Sequence, residues 1–203
     1  MDASQSLTYE NRKGVIYYLQ QGKTRTGKPM FFVGRKLTGE PAAALPDGYE
    51  FYERPENAQV VVRKIKPTPI TELERASVEE IIRRSGGLKY FIVEIDGDAL
   101  VVYTPATTTA EVNEMLSDVM DRGFHPDSPR AAKCRDSYLR RIHYEKMLRF
   151  TLIDQQARLY HVERWCSRGS VDGWLGLSGR GRLDLLVENY ARHLGEETFF
   201  ELF

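Results

Sequence analysis

Cysteine is scarce in this chain of 203 residues: Cys134 and Cys166 are the only two. Two thiols do not make a disulfide framework, so the small secreted scaffolds held together by such frameworks are excluded. Long apolar runs are missing as well, since none approaches the ~20 residues a membrane-crossing helix needs. The start MDASQSLTYENRK lacks the apolar core of a signal peptide, so a cytoplasmic location and no membrane partner are expected. Neither sign of charge is in excess, with 29 Lys+Arg against 29 Asp+Glu. A whole-molecule field toward nucleic acid or anionic lipid is thereby absent, although a local patch is still allowed. There is no internal repeat and no low-complexity tract.

Apolar residues make up 41% of the chain and charged residues 29%, a balance that supports a folded core and argues against wholesale disorder. Residues 1–11 are polar and expected to fray. Alternation then begins. Val15, Tyr17 and Leu19 share one strand face, Ile16 and Tyr18 the other, and Met30–Val33 reads as the partner strand. Between them lies the polar, glycine-bounded tip GKTRTGK, so the segment is a hairpin with Lys23–Lys28 at its end. A loop over 39–48 leads to a second strand pair, Tyr49–Tyr52 and Gln59–Lys64, joined by ERPEN. Pro67 and Pro69 break the pattern and mark a boundary. Residues 1–66 carry 11 basic and 7 acidic side chains, and the remainder 18 and 22.

The second part opens with a helix capped by Ser77 and Glu80 or, one start earlier, by Thr71 and Glu74. Gly86 and Gly87 end it. Leu88–Ile95 and Ala99–Tyr103 are strands around Asp96-Gly97, a strong hairpin signal. Val112, Met115, Leu116, Val119 and Met120 have helical spacing, with Thr108 and Glu111 as a cap and Gly123 as the stop. Residues 126–144 fit either a helix or a strand lead-in. Leu148, Phe150 and Leu152 alternate, as do Tyr160, Val162 and Arg164, around a turn at Asp154–Ala157. A Gly-rich connection containing Trp174 precedes a last helix with Leu183, Leu186, Val187, Tyr190 and Leu194 on one stripe and Gly195 as its C-cap. The fold class is therefore α+β. A small antiparallel β unit at 12–66 is followed by a larger α+β unit at 70–203 with antiparallel hairpins and three or so helices.

The most tempting motif is Gly22, Gly27 and Lys28 in phosphate-loop spacing. It fails at Pro29, which offers neither a hydroxyl for Mg²⁺ nor the start of a helix whose N–H groups hold phosphate. The same hairpin offers a different chemistry. Lys23, Arg25 and Lys28 at the tip, with Arg35 and Lys36 beyond, alternate with Tyr17, Tyr18, Phe31 and Phe32. Cations for phosphates beside rings for bases are what single-strand binding requires, while the plainer reading is sheet core with a charged, protected edge. A second basic zone, Arg122–Arg168, has eleven Lys/Arg against five Asp/Glu, and a helical 137–143 would set Arg140 beside Arg141. Cys134, His143, His161 and Cys166 lack the close pairs of a structural zinc site, so no metal and no cofactor are expected. No nucleophile elbow is present and GSVDG reads as a turn. Adjacent acids at Glu79/Glu80 and Glu196/Glu197 splay apart on a helix. No catalytic residue is assigned. The chain closes on FFELF, whose apolar groups are expected to dock on the core.

Three stretches, YYLQQGKTRTGKPMFFVGRK, LPDGYEFYERPENAQVVVRK, and MLRFTLIDQQARLYHVERWCSRGSVDGW together with HLGEETFFELF, resemble bacterial proteins of an uncharacterised family of hypothetical proteins. That resemblance covers most of the chain, implies a bacterial protein, and transfers no functional residue. The expected function is a non-enzymatic binding or interaction protein acting through exposed sheet surfaces, with a protein partner favoured. The alternative is nucleic-acid or anion contact through Lys23, Arg25, Lys28, Arg35, Arg140 and Arg141, and an enzyme with a dispersed site comes third.

Overall fold

A computed structural model of the chain describes residues 6–85, 88, 90–107, 111, 114, 117, 129–139, 141–168 and 171–202. The protein is mixed α+β, with more strand than helix. It divides into two units, Met1–Ile65 with Lys133–Arg141, and Lys66–Ala132 with Ile142–Phe203. The sequence boundaries placed all of 133–141 in the second unit, whereas this segment groups with the first. No helix among the described residues is long and apolar enough to cross a membrane.

In the first unit part of the polar start expected to fray, Thr8–Glu10, is strand, and residues 1–5 lie outside the described residues. β1 (Thr8–Glu10) pairs antiparallel with β2 (Ile16–Lys23). Asn11 makes this possible, because its side-chain oxygen accepts the N–H groups of Lys13 at 3.0 Å and Val15 at 2.9 Å. Its amide nitrogen donates to the Ala58 carbonyl at 2.7 Å, so the polar turn is satisfied internally. β3 (Pro29–Gly34) pairs the other edge of β2, β4 (Glu40–Pro41) adds a short pairing to β2, and β5 (Tyr49–Glu53) with β6 (Val60–Lys64) forms a separate hairpin. At the β2–β3 tip Gly27 takes φ +80° and the Thr24 N–H donates to the Lys28 carbonyl at 2.8 Å. A strand, not a helix, follows Lys28, so the phosphate-loop spacing stands without its phosphate-binding geometry.

The second unit is a five-stranded antiparallel meander. Its order is β11–β10–β9–β8–β7, built from β7 (Ile92–Asp96), β8 (Ala99–Pro105), β9 (Tyr144–Asp154), β10 (Leu159–Arg168) and β11 (Val171–Arg182). The β7–β8 turn sits one residue later than the sequence suggested, on Gly97 and Asp98, with Asp96 paired to Ala99. Gly97 has φ +66° and is the turn's one positive-φ residue, as a glycine-first hairpin turn requires. Leu100, Val102, Leu148, Phe150, Leu152, Tyr160 and Val162 share one core with α1 (Glu72–Ser85) and α3 (Leu183–Ala191). A helix α2 (Pro129–Leu139) precedes β9, so the ambiguous 126–144 segment is helix first and strand lead-in second. Three or so helices were expected in this unit. Among the described residues α1 and α3 are the two that join its core, and the 108–123 helix lies, apart from Glu111, Glu114 and Ser117, outside those residues.

The Gly-rich segment is the largest departure, because it is the edge strand β11 and not a connection. Gly179 shows why glycine belongs there. A Cβ at this position would stand 2.8 Å from Val162 Cγ1, 3.0 Å from the Tyr190 hydroxyl and 3.1 Å from Leu186 Cδ2, so glycine lets α3 approach the sheet closely. α3 itself stops at Ala191, four residues before Gly195, which takes φ +86° in the turn that follows. Phe199 then docks in the core as expected, while Phe200 stays 52% exposed.

The start of α1 is set by Thr71 and Glu74. The Glu74 N–H donates to the Thr71 hydroxyl at 3.3 Å and the Thr71 N–H donates to Glu74 Oε2 at 2.9 Å, a reciprocal capping box. Arg158, at the β9–β10 turn, donates Nε to Glu74 Oε1 at 3.0 Å and makes a closer bidentate contact through Nη2. The hydroxyl of the fully buried Tyr160 donates to Glu74 Oε1 at 2.6 Å. Burial alone would raise the Glu74 carboxyl. The bonds from Arg158, Tyr160 and Thr71 win and bring it from 4.5 down to about 2. Burial and then Glu74 push the Tyr160 phenol the other way, upward.

A carboxyl depressed in the folded state contributes stability that is complete above its ordinary value and lost as pH falls through the folded one. Glu74→Gln is expected to lower unfolding free energy by about 2–3 kcal/mol at pH 7. In urea titrations at a series of pH values, its gap from the parent should close between pH about 4.5 and about 2; a gap that persists unchanged would rule the account out.

Candidate functional site

The cations read from the sequence divide into two groups at opposite ends of β2. Lys23, Arg25 and Lys28 are exposed at the hairpin tip. Arg35 follows Gly34, whose Cα partner is Tyr18 near the start of β2, and its guanidinium carbon stands 5.8 Å from the centre of the Tyr17 ring. The eight residues of β2 keep the two groups about 20 Å apart. Arg141 belongs to the same unit and is exposed, and Arg140 lies outside the described residues. The charges of Arg35 and Arg141 both act on Lys13, a residue that sequence reasoning did not select. Burial first, and then the charges of Arg12, Arg35 and Arg141 against the opposing Glu53, lower the Lys13 ammonium below its usual range.

The frame beneath this cationic end is polar and buried. Gln20 is fully buried on β2. Its oxygen accepts the N–H groups of Thr38 at 2.6 Å and Gly39 at 2.7 Å, and its nitrogen donates to the Lys36 carbonyl at 2.9 Å. One side chain therefore fixes the loop that carries Arg35. Arg12 is tied down by Glu53 at 3.0 Å and by the carbonyls of Arg54 and Pro55. Two of the four expected stacking rings are not free platforms. Tyr17 is buried, and the Phe32 ring lies so close to Gly22 and Gly39 that added Cβ atoms would come within 3.3 and 2.9 Å of it.

A second arrangement was missed altogether. Trp165 on β10 and Trp174 on β11 are direct cross-strand partners, and their rings meet edge to face at 5.1 Å. Lys146 Nζ stands 5.3 Å from the Trp165 ring centre and the Arg149 guanidinium 4.6 Å from that of Trp174, both within cation–π range. Arg149 is also paired with Glu163 at 2.6 Å, and Thr151 donates to the same carboxylate. The Arg149 hydrogen bond is the main reason the Glu163 carboxyl sits below its usual range. A sequence signal for the pair does exist. Between Arg168 and Val171, which close the ladder, the sequence reads Gly-Ser, a dipeptide that by residue type alone signals a two-residue hairpin.

At the same end of this sheet, on β8, β9, β10 and the chain after α3, lies a cavity of about 620 Å³. Trp165 and Lys146 contribute to its lining, and so do Arg164, Cys166 and Thr104. No group of three or more possible metal ligands occurs among the described residues. No protein-family model, curated protein or solved structure matches the chain.

Replacing Gln20 by leucine keeps the volume and removes the amide, leaving two N–H groups and a carbonyl without their partners. A loss of about 2–3 kcal/mol is expected from denaturant unfolding. A loss below ~0.5 kcal/mol, within the range of ordinary surface changes, would show that Gln20 does not hold this loop.

Proposed function

We propose that this is a bacterial cytoplasmic binding protein, non-enzymatic, which engages a partner protein through the sheet surface around Trp165 and Trp174. The observation that carries the reading is the tryptophan pair itself. Both rings are half-buried, locked edge to face, and each has a cation over it. Tryptophan and arginine dominate binding energy at protein interfaces because they combine large apolar area with directional polar contacts. Rings held in advance lose little side-chain freedom when a partner docks. The cations of Lys146 and Arg149 hold the two rings in this arrangement before any partner arrives.

The test is a quantitative binding measurement with the partner that co-purifies in stoichiometric amount with the full chain. Trp174→Ala and, separately, Lys146→Ala should each weaken that complex, the former by about tenfold or more, without change in thermal unfolding of the Lys146→Ala protein. Full retention of the partner by both variants would overturn the proposal.

A second reading rests on the positive charges of Lys13, Arg35 and Arg141, which act on one another within the first unit and favour contact with a phosphate backbone there. Fluorescence anisotropy with a labelled single-stranded oligonucleotide tests it. Changing Lys13, Arg35 and Arg141 together to alanine should reduce the slope of log K against log salt by about 2. The triple change at Lys23, Arg25 and Lys28 separates the hairpin tip from this end. A parent protein that does not bind the oligonucleotide ends this reading.

A further inference from the structure

The core-facing alternation of the five-stranded sheet continues past the core shared with α1 and α3. On β8, Leu100 and Val102 lie in that core, and Thr104, next in the same alternation, is buried. On β10, Tyr160 and Val162 lie in the core, and Arg164 and Cys166 follow in step. Thr104, Arg164 and Cys166 all line the cavity at this end of the sheet. Apolar side chains complete its walls: Leu88 from the core itself, Met147 packed against that core, and the more exposed Leu175 and Phe200. The cavity is thus an extension of the apolar core. At about 620 Å³ it has the size of a small-molecule site, for which an apolar lining with a few polar groups is the usual composition.

The charged groups of the lining are engaged within the chain or hydrated. Arg164 donates from Nε to the Leu202 carbonyl at 2.8 Å. Lys146 Nζ stands 5.3 Å from the centre of the Trp165 ring, and both cations have further interactions within the chain. The acids Glu145, Glu196 and Glu197 are exposed, so water screens them. A charged ligand would therefore give up its hydration in an apolar space whose cations already have partners, and that desolvation is costly. An uncharged ligand meets no such cost. On the core-facing positions the neutral polar groups are the Thr104 hydroxyl and the Cys166 thiol, which suit a single uncharged oxygen.

We infer that the cavity binds a small, uncharged apolar molecule, of the class of medium-chain alcohols. Its hydrocarbon body is taken up by Leu88, Met147, Leu175 and Phe200, where it continues the core. Its one oxygen is left to Thr104 or Cys166. The inference stands apart from the partner-protein reading, because neither its argument nor its test requires a partner.

Titration of the full chain with N-phenyl-1-naphthylamine, an uncharged fluorophore that brightens in apolar surroundings, tests the site. Saturable binding of about one fluorophore per chain is expected. Decan-1-ol should displace it. Decanoate and decylamine carry the same alkyl body on a charged head, and below micelle-forming concentrations each should displace it at least about tenfold more weakly. Phe200→Ala changes an exposed side chain and should weaken the fluorophore several-fold, with folding checked by thermal unfolding. In a Cys134→Ser background Cys166 is the sole thiol and lines the cavity, so bound decan-1-ol should slow its alkylation by maleimide several-fold. Absence of saturable fluorophore binding overturns the assignment. So does displacement by decanoate or decylamine as strong as by decan-1-ol. Binding that Phe200→Ala does not weaken and that leaves Cys166 unprotected lies elsewhere on the surface and overturns it too.

Discussion

Glu74 does two things in one place, and the second unit is organised around that coincidence. As a capping residue it satisfies the first turn of α1 through Thr71. As an acceptor it satisfies Tyr160 and Arg158 from the β9–β10 hairpin. Tyr160 is the largest fully buried side chain, and its hydroxyl needs a partner inside the core. Because the same carboxylate begins the helix and ends that hydroxyl's search, the register of α1 on the sheet is fixed. Val78, Ile81 and Ile82 then fall on the buried side at four, seven and eight residues from Glu74, the spacing of one helix face. A slip by one turn would strand a buried phenol and an arginine together, a penalty of several kcal/mol by the usual price of unmade bonds to charged groups.

The first unit solves the same kind of problem with neutral amides. Asn11 and Gln20 are both buried, and each closes a turn by accepting two N–H groups on its oxygen while its nitrogen donates to a distant carbonyl. Neutral amides can be buried without the desolvation penalty of a charge, so the turns are rigid without neutralising what they carry. What they carry is cationic: Lys13 lies in the Asn11 turn and Arg35 beside the Gln20 loop. The placement of these cations is thus a product of how the backbone is held.

Much of this was legible. The β2–β3 hairpin, the β5–β6 pair and the alternation of Leu148, Phe150 and Leu152 with Tyr160, Val162 and Arg164 could be read because period-2 patterning and glycine-bearing turns are local signals. The burial of Arg164, which shares that alternation, was not read from it. The losses have physical causes. β1 could not be seen because its pairing depends on Asn11 reaching Ala58, 47 residues away. β11 was hidden because its four glycines give it the composition of a loop, although Gly179 serves the close approach of α3 and Gly176 lies against His161. With β11 lost, Trp174 had no partner, and the Trp165 pair and the neighbouring cavity vanished from the sequence reading with it. The cationic residues were half legible: residue types identified Arg35 and Arg141, but the action of their charges on Lys13 and the separation of Arg35 from the hairpin tip along β2 follow from the fold.

The cavity itself follows from a mismatch of lengths. β10 has 10 residues and β11 has 12, so each runs for about 33–40 Å. α3 has nine residues and covers about 13 Å. Gly179 draws α3 close against Val162 at one part of the sheet, and the chain beyond it reaches the region of Arg164 as a turn and a short 3-10 helix, Glu197–Glu201. A 3-10 turn presents fewer side chains per length than a two-layer helix packing would need, and Phe199 alone of its apolar residues is fully used in the core. The space left over is lined by whatever strands project there. Arg164 occupies an alternation position next to Val162 and opposite Leu148, so it is buried, and its Nε is satisfied by the Leu202 carbonyl of the covering segment. The lining of the cavity is therefore set by strand periodicity on one side and by a short helix on the other.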